Sequence, residues 1–254
     1  MLNSLSALIL GVVEGFTEFL PISSTAHLIL TSELLKITQS NFAKTFEIAI
    51  QSGAILAVVI LYWRKFFDKE NIKKIVVAFI PTGIIGLFFY KIVKNYLLGN
   101  IEVVLWALCG GGILLIIFEY FFKEKDNLVD MHNMSYKQAI GVGLFQSIAI
   151  IPGVSRAAAT VVGGMFLGMK REAIVEFSFL LAVPTMFAAT GLDLLKNFQE
   201  FSGADFSLLG IGFFTSLVVA IFSIKFLLHY IRRHSFTGFG VYRIVLAILF
   251  VFLI

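Results

Sequence analysis

The sequence predicts an all-α polytopic membrane protein with six full transmembrane spans and two re-entrant helical hairpins in an inverted-topology repeat. The first observation is composition: of 254 residues, 59% are hydrophobic and 14% are charged, and the mean hydropathy is +0.94. Soluble domains are about one-quarter charged, so a water-soluble globule is excluded. The second observation is a set of long apolar runs, and the third is a pair of apolar stretches broken near the middle. We expect one integral membrane domain over 1–254, with repeat halves of about 1–122 and 136–254.

Six apolar runs are long enough to cross a bilayer as single helices, which requires roughly 20 mostly apolar residues. They are 46–63, 75–93, 101–121, 173–195, 206–227 and 237–254. Two further stretches, 2–35 and 136–169, are apolar but interrupted by proline and by charged residues. Each is long enough for two short helices, which is typical of a re-entrant hairpin.

Basic residues between the spans predict the orientation of the chain. If each broken stretch leaves the membrane on the side where it enters, 14 Lys and Arg residues fall on one face of the membrane and five on the other. Arg156 then lies inside a hairpin. The rich face includes the dense group at 64–74 and the loop at 225–243, which we interpret as solvated charges. The positive-inside rule assigns this face to the cytoplasm, so both termini are expected to be external. The net charge of +4 then reflects loop bias, and no nucleic-acid partner is expected.

A short internal repeat supports two halves of opposite orientation. Glu14 is followed nine residues later by Ser23, and Gln146 is followed at the same spacing by Ser155; a proline lies inside each pair. Halves of this kind, with broken helices that meet near the bilayer midplane, are typical of transporters. A transporter or lipid flippase is therefore the alternative function.

The first broken stretch carries two carboxylates at helical spacing. On a helix, Glu14 and Glu18 share a face and repel each other, and an ionised carboxylate at membrane depth is costly. A divalent cation between them would relieve both penalties, because hard cations prefer oxygen ligands. Protonation, or pairing with a base such as Arg156, is the alternative. Glu14 and Glu18 are the candidate metal ligands, with Mg²⁺ or Ca²⁺ as the cation.

A cluster of hydroxyls follows these carboxylates. Pro21 disfavours the α conformation before it and suits the start of a new helix. Ser23, Ser24 and Thr25 then lie at that helix N-terminus, where free N–H groups and hydroxyls form an anion site; an ordinary serine N-cap is the alternative. His27 lies one turn beyond Ser24 and would orient or deprotonate a serine, or serve as a hydrogen-bonded packing residue.

The second broken stretch combines a chain break with an arginine. The Pro-Gly pair at 152–153 ends one helix, and a helix rich in small residues follows. Arg156 is costly at membrane depth unless it meets an anion, and its planar fork suits phosphate or carboxylate; a structural Arg156–Glu14 pair is the alternative. Gln51 and Gln146 are expected to add hydrogen bonds. The two breaks together predict a metal-assisted phosphate site inside the membrane.

These motifs resemble those of the undecaprenyl-diphosphate phosphatase family, also called the bacitracin-resistance protein, over essentially the whole chain. The matching strings are Glu14-Gly-x-Thr-Glu18-Phe-Leu-Pro-x-Ser-Ser-Thr-x-His27, Pro152-Gly-x-Ser155-Arg156 with Thr160, Glu176-Phe-Ser-Phe-Leu-Leu-Ala-Val-Pro184, and Tyr242-Arg243. Ala26 departs from a frequent glycine of the family, and Ala157-Ala158 replace a usual Ser-Gly pair.

The resemblance implies hydrolysis of undecaprenyl diphosphate to the monophosphate carrier lipid and inorganic phosphate, which serves peptidoglycan synthesis and bacitracin resistance. We expect a location in the bacterial cytoplasmic (inner) membrane with the site open to the extracytoplasmic side. The expected partners are a polyprenyl diphosphate substrate and membrane lipids, and a homodimer is one oligomeric state to test. The implied catalytic residues are Glu14, Glu18, Ser24, His27 and Arg156, with Ser24 as nucleophile. The candidate substrate-binding residues are Ser23, Thr25, Gln51, Gln146, Ser155 and Thr160.

Overall fold

The computed structural model describes residues 2–38, 40–97, 100–122, 128–197 and 203–253, and these ranges are almost entirely helical. The α-helices are α1 Ser4–Thr17, α2 Ser24–Leu34, α3 Asn41–Tyr62, α4 Lys69–Ile92, α5 Ile101–Phe121, α6 Tyr136–Ser147, α7 Arg156–Phe166, α8 Arg171–Asn197, α9 Gly203–Ile231 and α10 Thr237–Leu253. Short 3₁₀ segments, Trp63–Phe67 and Ile148–Ile150, extend α3 and α6, and a π-helical turn, Val93–Leu97, extends α4. Within these ranges the β structure is one isolated bridge between Val129 and Met169.

Five segments of the described chain are long and apolar enough to cross a bilayer. They are Phe42–Phe67, Lys69–Phe89, Ile101–Phe121, Arg171–Gly191 and Phe206–Ile231. Large apolar side chains cover the outer faces of the helices, as at Phe88 and Trp106, both 77% exposed. An apolar surface this extensive marks contact with a membrane or a partner, and the chain is a multi-pass, all-helical membrane protein as the sequence predicts. α10 is also apolar but has 17 residues, about 26 Å of helix, so its length alone does not establish a crossing.

Two of the observed helices begin several residues before the predicted spans. α3 begins at Asn41 and α4 at Lys69, whereas the apolar runs begin at 46 and 75. The Oγ of Ser40 caps α3 by accepting the Ala43 N–H at 3.1 Å. Helix caps and polar first turns extend these helices beyond the apolar runs, and a count of apolar residues does not detect them.

The second broken stretch forms two short helices whose outer ends lie together. α6 and α7 are separated by a break that contains the Pro-Gly pair at 152–153. The side-chain amide of Gln138, at the start of α6, donates to the carbonyl of Leu167, just beyond the end of α7, at 3.0 Å. The chain therefore turns back at the break and returns to the end of the molecule from which it entered.

The first broken stretch has the same form. α1 and α2 are separated by residues 18–23. Ala7 near the start of α1, Ile37 just beyond α2 and Phe46 in the first half of α3 belong to one buried apolar cluster. α1 and α2 thus share one apolar core with α3, and the residues of the two breaks at 18–23 and 152–153 are buried.

Two basic residues that the sequence assigns to solvated loops are buried, so this part of the prediction is wrong. Lys74 is 5% exposed and its Nζ donates to the carbonyls of Met131 and His132, at 3.2 and 2.5 Å. Arg243 is 1% exposed and lies within α10. Lys74 lies at the edge of an apolar run, where residue counting does not separate a helix interior from a loop. Arg243 lies inside the run 237–254 but was counted with the loop before it. The basic residues of 123–127 counted in the loop balance lie outside the described ranges.

Candidate active site

The first break ends at Ser23, which caps α2 in a strained backbone conformation. Its φ of 71° lies in the left-handed region, where a residue with a side chain is strained by about 1–3 kcal/mol and is held there by its surroundings. The Ser23 carbonyl accepts from Nδ1 of His27 at 2.7 Å, and its Oγ accepts the Ala26 N–H at 3.4 Å. This turn presents Ser24 as the first residue of α2.

The second break ends in an equivalent cap. Ser155 precedes α7 and its Oγ accepts the Ala158 N–H at 3.1 Å. Gly153 supplies the positive φ of 94° that the turn before α7 requires. The Ser155 Oγ also donates to the Leu20 carbonyl of the first break at 3.5 Å. The N-termini of α2 and α7 therefore meet in the interior of the molecule, as the sequence predicts.

A carboxylate of one break joins a hydroxyl and a guanidinium at the centre of the site. The Ser24 Oγ donates to Oε2 of Glu18 at 2.5 Å, and Nη2 of Arg156 donates to Oε1 of the same carboxylate at 3.0 Å. The Glu18 and Arg156 side chains are 5% and 12% exposed. Nη1 of Arg156 is fixed by the Ser178 carbonyl at 2.9 Å. The ion pair therefore forms with Glu18, and the alternative Arg156–Glu14 pair does not form in this structure.

These groups line a cavity of about 140 Å³ between the two breaks. One water needs roughly 10–15 Å³ of such space, so the cavity has room for an anion the size of a phosphoryl group. Its lining residues are Glu18, Ser23, Ser24, Thr25, Gln51, Ala149, Val154, Ser155, Arg156 and Met186. Seven predicted site residues are therefore brought together on one cavity.

The cavity has the donors that an anion requires. The first N–H groups of a helix lack partners within that helix and favour negative charge, and two helices begin here. Nε of Arg156 is buried and has no hydrogen-bond partner in the described part of the chain. A bound phosphoryl oxygen would satisfy this donor, so the donor set fits a phosphate group.

Glu14 lies behind the cavity and does not line it. Its side chain is 0% exposed, and neither carboxylate oxygen has a hydrogen-bond partner within the described ranges. A buried carboxylate of this kind is costly unless a cation or a proton compensates it. Two carboxylates are a normal protein contribution to a Mg²⁺ site, which is completed by water and phosphate. The pair of Glu14 and Glu18 therefore fits the predicted divalent cation, although no group of three His, Cys, Asp or Glu that could hold a metal occurs in the part described.

His27 is close in sequence to Ser24 but is held away from its hydroxyl. Its Nδ1 bonds to the Ser23 carbonyl, and its Nε2 lies 2.8 Å from the Tyr242 hydroxyl of α10. Both ring nitrogens are thus occupied, and His27 does not line the cavity. The hydroxyl of Ser24 is paired with Glu18 instead. A role of His27 as general base stays a prediction that this geometry does not favour.

Two further predicted substrate-binding residues do not reach the cavity. Gln146 donates its amide to the hydroxyls of Thr82 and Thr185, at 2.9 and 3.2 Å. Thr160 is 0% exposed and its hydroxyl donates to the Arg156 carbonyl at 2.8 Å. Sequence spacing locates these residues on the right helices but does not determine which way they face. Thr160 fixes the first turn of α7, and direct substrate contact by either residue stays a prediction.

Comparison with known proteins identifies the family of this chain. The family model described as bacitracin resistance protein BacA matches residues 7–249. The chain belongs to this family. A relative from Sulfurihydrogenibium sp. is 50% identical over 250 residues, which is 98% of each chain, and one from Aquifex aeolicus is 48% identical over 96% of each. A relative from Methanococcus aeolicus is 42% identical over 98% of this chain and 97% of its own. All three are named undecaprenyl-diphosphatase.

This member of the BacA family has two site-supporting residues that the sequence analysis did not assign a role. Tyr242 contacts His27, and Arg243 donates to the carbonyls of Pro21 and Gly153, one in each break, at 3.2 and 3.1 Å. Arg243 was counted as a loop charge. Its position within the apolar run 237–254 is the signal that could have identified it, because a cation inside such a run needs a buried partner.

Proposed function

We propose that this chain is an undecaprenyl-diphosphate phosphatase that releases inorganic phosphate and leaves the monophosphate carrier lipid. The names of its relatives support this function, and so does the chemistry of the cavity. The product lipid would return to peptidoglycan synthesis in the bacterial cytoplasmic membrane, and its regeneration would oppose bacitracin. The partners in this proposal are the polyprenyl diphosphate and the surrounding lipids. A homodimer would be tested by cross-linking in membranes.

The observation that carries the proposal is the Ser24–Glu18 hydrogen bond of 2.5 Å beside Arg156. In the first step, Oγ of Ser24 attacks the terminal phosphorus and its proton passes to Glu18. The bond from phosphorus to the bridging oxygen breaks, and the lipid monophosphate leaves with the electron pair and the proton from Glu18. The guanidinium of Arg156 and the N-termini of α2 and α7 stabilise the charge on the phosphoryl oxygens.

A second step restores the enzyme. Water attacks the phosphorus of the phosphoserine and gives a proton to Glu18, while the bond to Oγ breaks and Ser24 regains its proton from Glu18. Direct attack by water would leave Ser24 as a ligand only. Ser24→Ala separates the two routes: the covalent route predicts a loss of at least a hundredfold in turnover, and near-normal turnover would overturn it.

Glu14 and Glu18 would hold the divalent cation, for which we propose Mg²⁺, with Ca²⁺ as the alternative. When bound, the cation supplies Lewis-acid stabilisation of phosphoryl charge. The buried, unpartnered oxygens of Glu14 support this assignment.

We extend the proposal to the membrane topology: six helices, α3–α5 and α8–α10, cross the bilayer, and the pairs α1–α2 and α6–α7 are re-entrant. The contact between the outer ends of α6 and α7 and the apolar cluster that α1, α2 and α3 share support this arrangement. The buried pair of Arg171 with Glu119, which also accepts the Phe236 N–H, supports it too. This contact joins the end of α5, the start of α8 and the start of α10, and helices that cross in alternate directions would bring these ends together.

An inverted repeat of 1–122 and 136–254 is part of the same proposal. Contacts between the halves are reciprocal: a Cβ on Gly112 would meet Gly240 O and Ile244, and one on Gly240 would meet Gly112 O and Ile116. α1 packs against α9, and α6 packs against α4. Under the repeat, α1 corresponds to α6 and α9 to α4, so these contacts are equivalent. A pseudo-twofold axis between α5 and α10 accounts for both observations.

The loop charges support an extracytoplasmic opening of the site, with both termini external. Removing Arg243 from the basic face leaves the bias intact, because that face still carries most of the basic residues. The relatives described above are named as a diphosphatase and not as a transporter. We therefore do not retain the alternative function, a polyprenyl-phosphate flippase or transporter.

Phosphate release from undecaprenyl diphosphate tests the function. The purified protein in detergent is given lipid labelled in its terminal phosphate, with Mg²⁺ or with a chelator. We expect release of inorganic phosphate with Mg²⁺ and loss of release with the chelator. Intact substrate in the presence of Mg²⁺ would overturn the proposed function.

A further inference from the structure

Arg243 is the most deeply buried arginine side chain described in the structure. It is 1% exposed and lies within α10, at membrane depth in the proposed topology. Its guanidinium donates four hydrogen bonds, each to a main-chain carbonyl: Nε to Leu108 at 3.2 Å, Nη1 to Pro21 at 3.2 Å, and Nη2 to Ala107 and Gly153 at 3.0 and 3.1 Å. A cation buried in this way is costly, so its retention calls for a role.

The carbonyls that Arg243 binds belong to three separate elements. Leu108 and Ala107 lie in α5, Pro21 lies in the first break and Gly153 in the second. Pro21 and Gly153 hold equivalent positions, since each lies two residues before a serine N-cap, Ser23 or Ser155. One planar guanidinium thus fixes the two breaks to each other and to α5.

The neighbouring Tyr242 extends this contact to the strained cap. Its hydroxyl lies 2.8 Å from Nε2 of His27, whose Nδ1 bonds to the Ser23 carbonyl. Adjacent residues of α10 therefore hold the backbone on both sides of Ser23. Neither Tyr242 nor Arg243 lines the cavity, so neither is in position to touch the substrate.

We propose that Arg243 is a positioning residue that sets the separation of Ser24 and Arg156 by holding the two breaks together. The inference rests on the proposed phosphatase function. A shift of about 1 Å between reacting groups can lower turnover a hundredfold. A group that acts by position should therefore change kcat and leave KM nearly unchanged.

The chain offers a matched pair of glycines for displacing the guanidinium without removing it. A Cβ at Gly111 would lie 2.2 Å from Nη2 of Arg243, whereas a Cβ at Gly110 meets no atom within 4 Å. Both residues lie in α5, so alanine changes helix propensity equally at both positions. Gly111→Ala forces the guanidinium to move, and Gly110→Ala is its control.

The test measures kcat and KM for phosphate release by Gly111→Ala, Gly110→Ala and Arg243→Lys, each normalised to folded protein. We expect Gly111→Ala and Arg243→Lys to lower kcat at least tenfold with KM within threefold of normal, and Gly110→Ala to stay within twofold. The kcat of the double variant Gly111→Ala/Arg243→Lys should be no lower than that of the less active single variant, because both substitutions act through the side chain at position 243. Equal kcat for the two glycine variants would overturn the proposal.

Lys74→Gln separates positioning from a general loss of stability. Lys74 is also buried and also donates to two carbonyls, but these belong to Met131 and His132. We expect Lys74→Gln to unfold at lower temperature while its kcat per folded molecule is unchanged. A loss of kcat equal to that of Arg243→Lys would overturn the positioning role.

Hydrogen–deuterium exchange gives a readout that does not depend on turnover. We expect faster exchange at 19–27 and 151–158 in Gly111→Ala than in Gly110→Ala. If the unaltered protein releases no phosphate, the proposed function fails, and the exchange rates still decide whether Arg243 holds the breaks. Equal exchange in the two variants would overturn the inference by itself.

Discussion

Glu18 is the residue on which the chemistry of the site converges. One oxygen accepts the Ser24 hydroxyl and the other accepts Arg156, so the same carboxylate would take the proton and fix the guanidinium. Its side chain is 5% exposed, and each of its contacts is strengthened because little water competes. Glu14 lies one helical turn away and differs from Glu18, because its oxygens have no hydrogen-bond partner in the described part of the chain.

Glu18→Gln should abolish turnover with a measurable loss of stability. We expect kcat to fall by about 10²–10⁴, the range of general acid–base catalysis. Breaking a buried ion pair costs about 3–5 kcal/mol, so thermal unfolding in detergent must be measured beside phosphate release. Glu33→Gln, on the exposed end of α2, is the control. Turnover by folded Glu18→Gln close to that of the control would contradict the role of Glu18.

Glu14→Gln should change the response to metal. If Glu14 is a cation ligand, removal of its charge weakens binding, and the Mg²⁺ concentration that gives half-maximal phosphate release should rise by about tenfold or more, as for loss of metal-site groups. Phosphate release is measured across a Mg²⁺ titration, with Glu33→Gln alongside. An unchanged midpoint would show that Glu14 does not hold the cation.

At the scale of elements, the two breaks depend on particular residues as much as the helices do. The turn before α7 requires the positive φ of Gly153, and a Cβ there would lie 2.7 Å from the Val104 carbonyl of α5. The turn before α2 is held by the strained Ser23. These short connections, and not the long helices, determine where Ser24 and Arg156 lie.

Gly153→Ala should therefore be more damaging than Gly168→Ala. Both glycines have positive φ, but a Cβ on Gly168 meets nothing within 4 Å. Backbone strain alone costs about 1–2 kcal/mol, which we expect for Gly168→Ala with normal kcat. Gly153→Ala should lose more stability and at least tenfold in kcat. The comparison uses thermal unfolding and phosphate release, and similar values for the two variants would contradict the importance of this turn.

At the scale of the whole molecule, the sequence predicts the architecture better than the orientation of side chains. Long apolar runs and the breaks at Pro21 and 152–153 are sufficient to predict the helices and the meeting of their N-termini. The facing direction of Gln146 and Thr160 depends on packing against α4 and on the first turn of α7, which a single sequence does not contain. Arg243 was misassigned because the charge count grouped it with the loop at 225–243, although it lies inside the apolar run 237–254.

In the topology that we propose, breaks from two oppositely oriented halves share one cavity that opens outside the cell. Thr25 and Val154 line this cavity, one from each break, so each is replaced by cysteine in a Cys109→Ala background. Intact cells are treated with a membrane-impermeant thiol reagent, with and without undecaprenyl phosphate. We predict that both positions are labelled from outside and that the lipid protects both. Labelling of Val154→Cys from the cytoplasmic side alone would contradict the account.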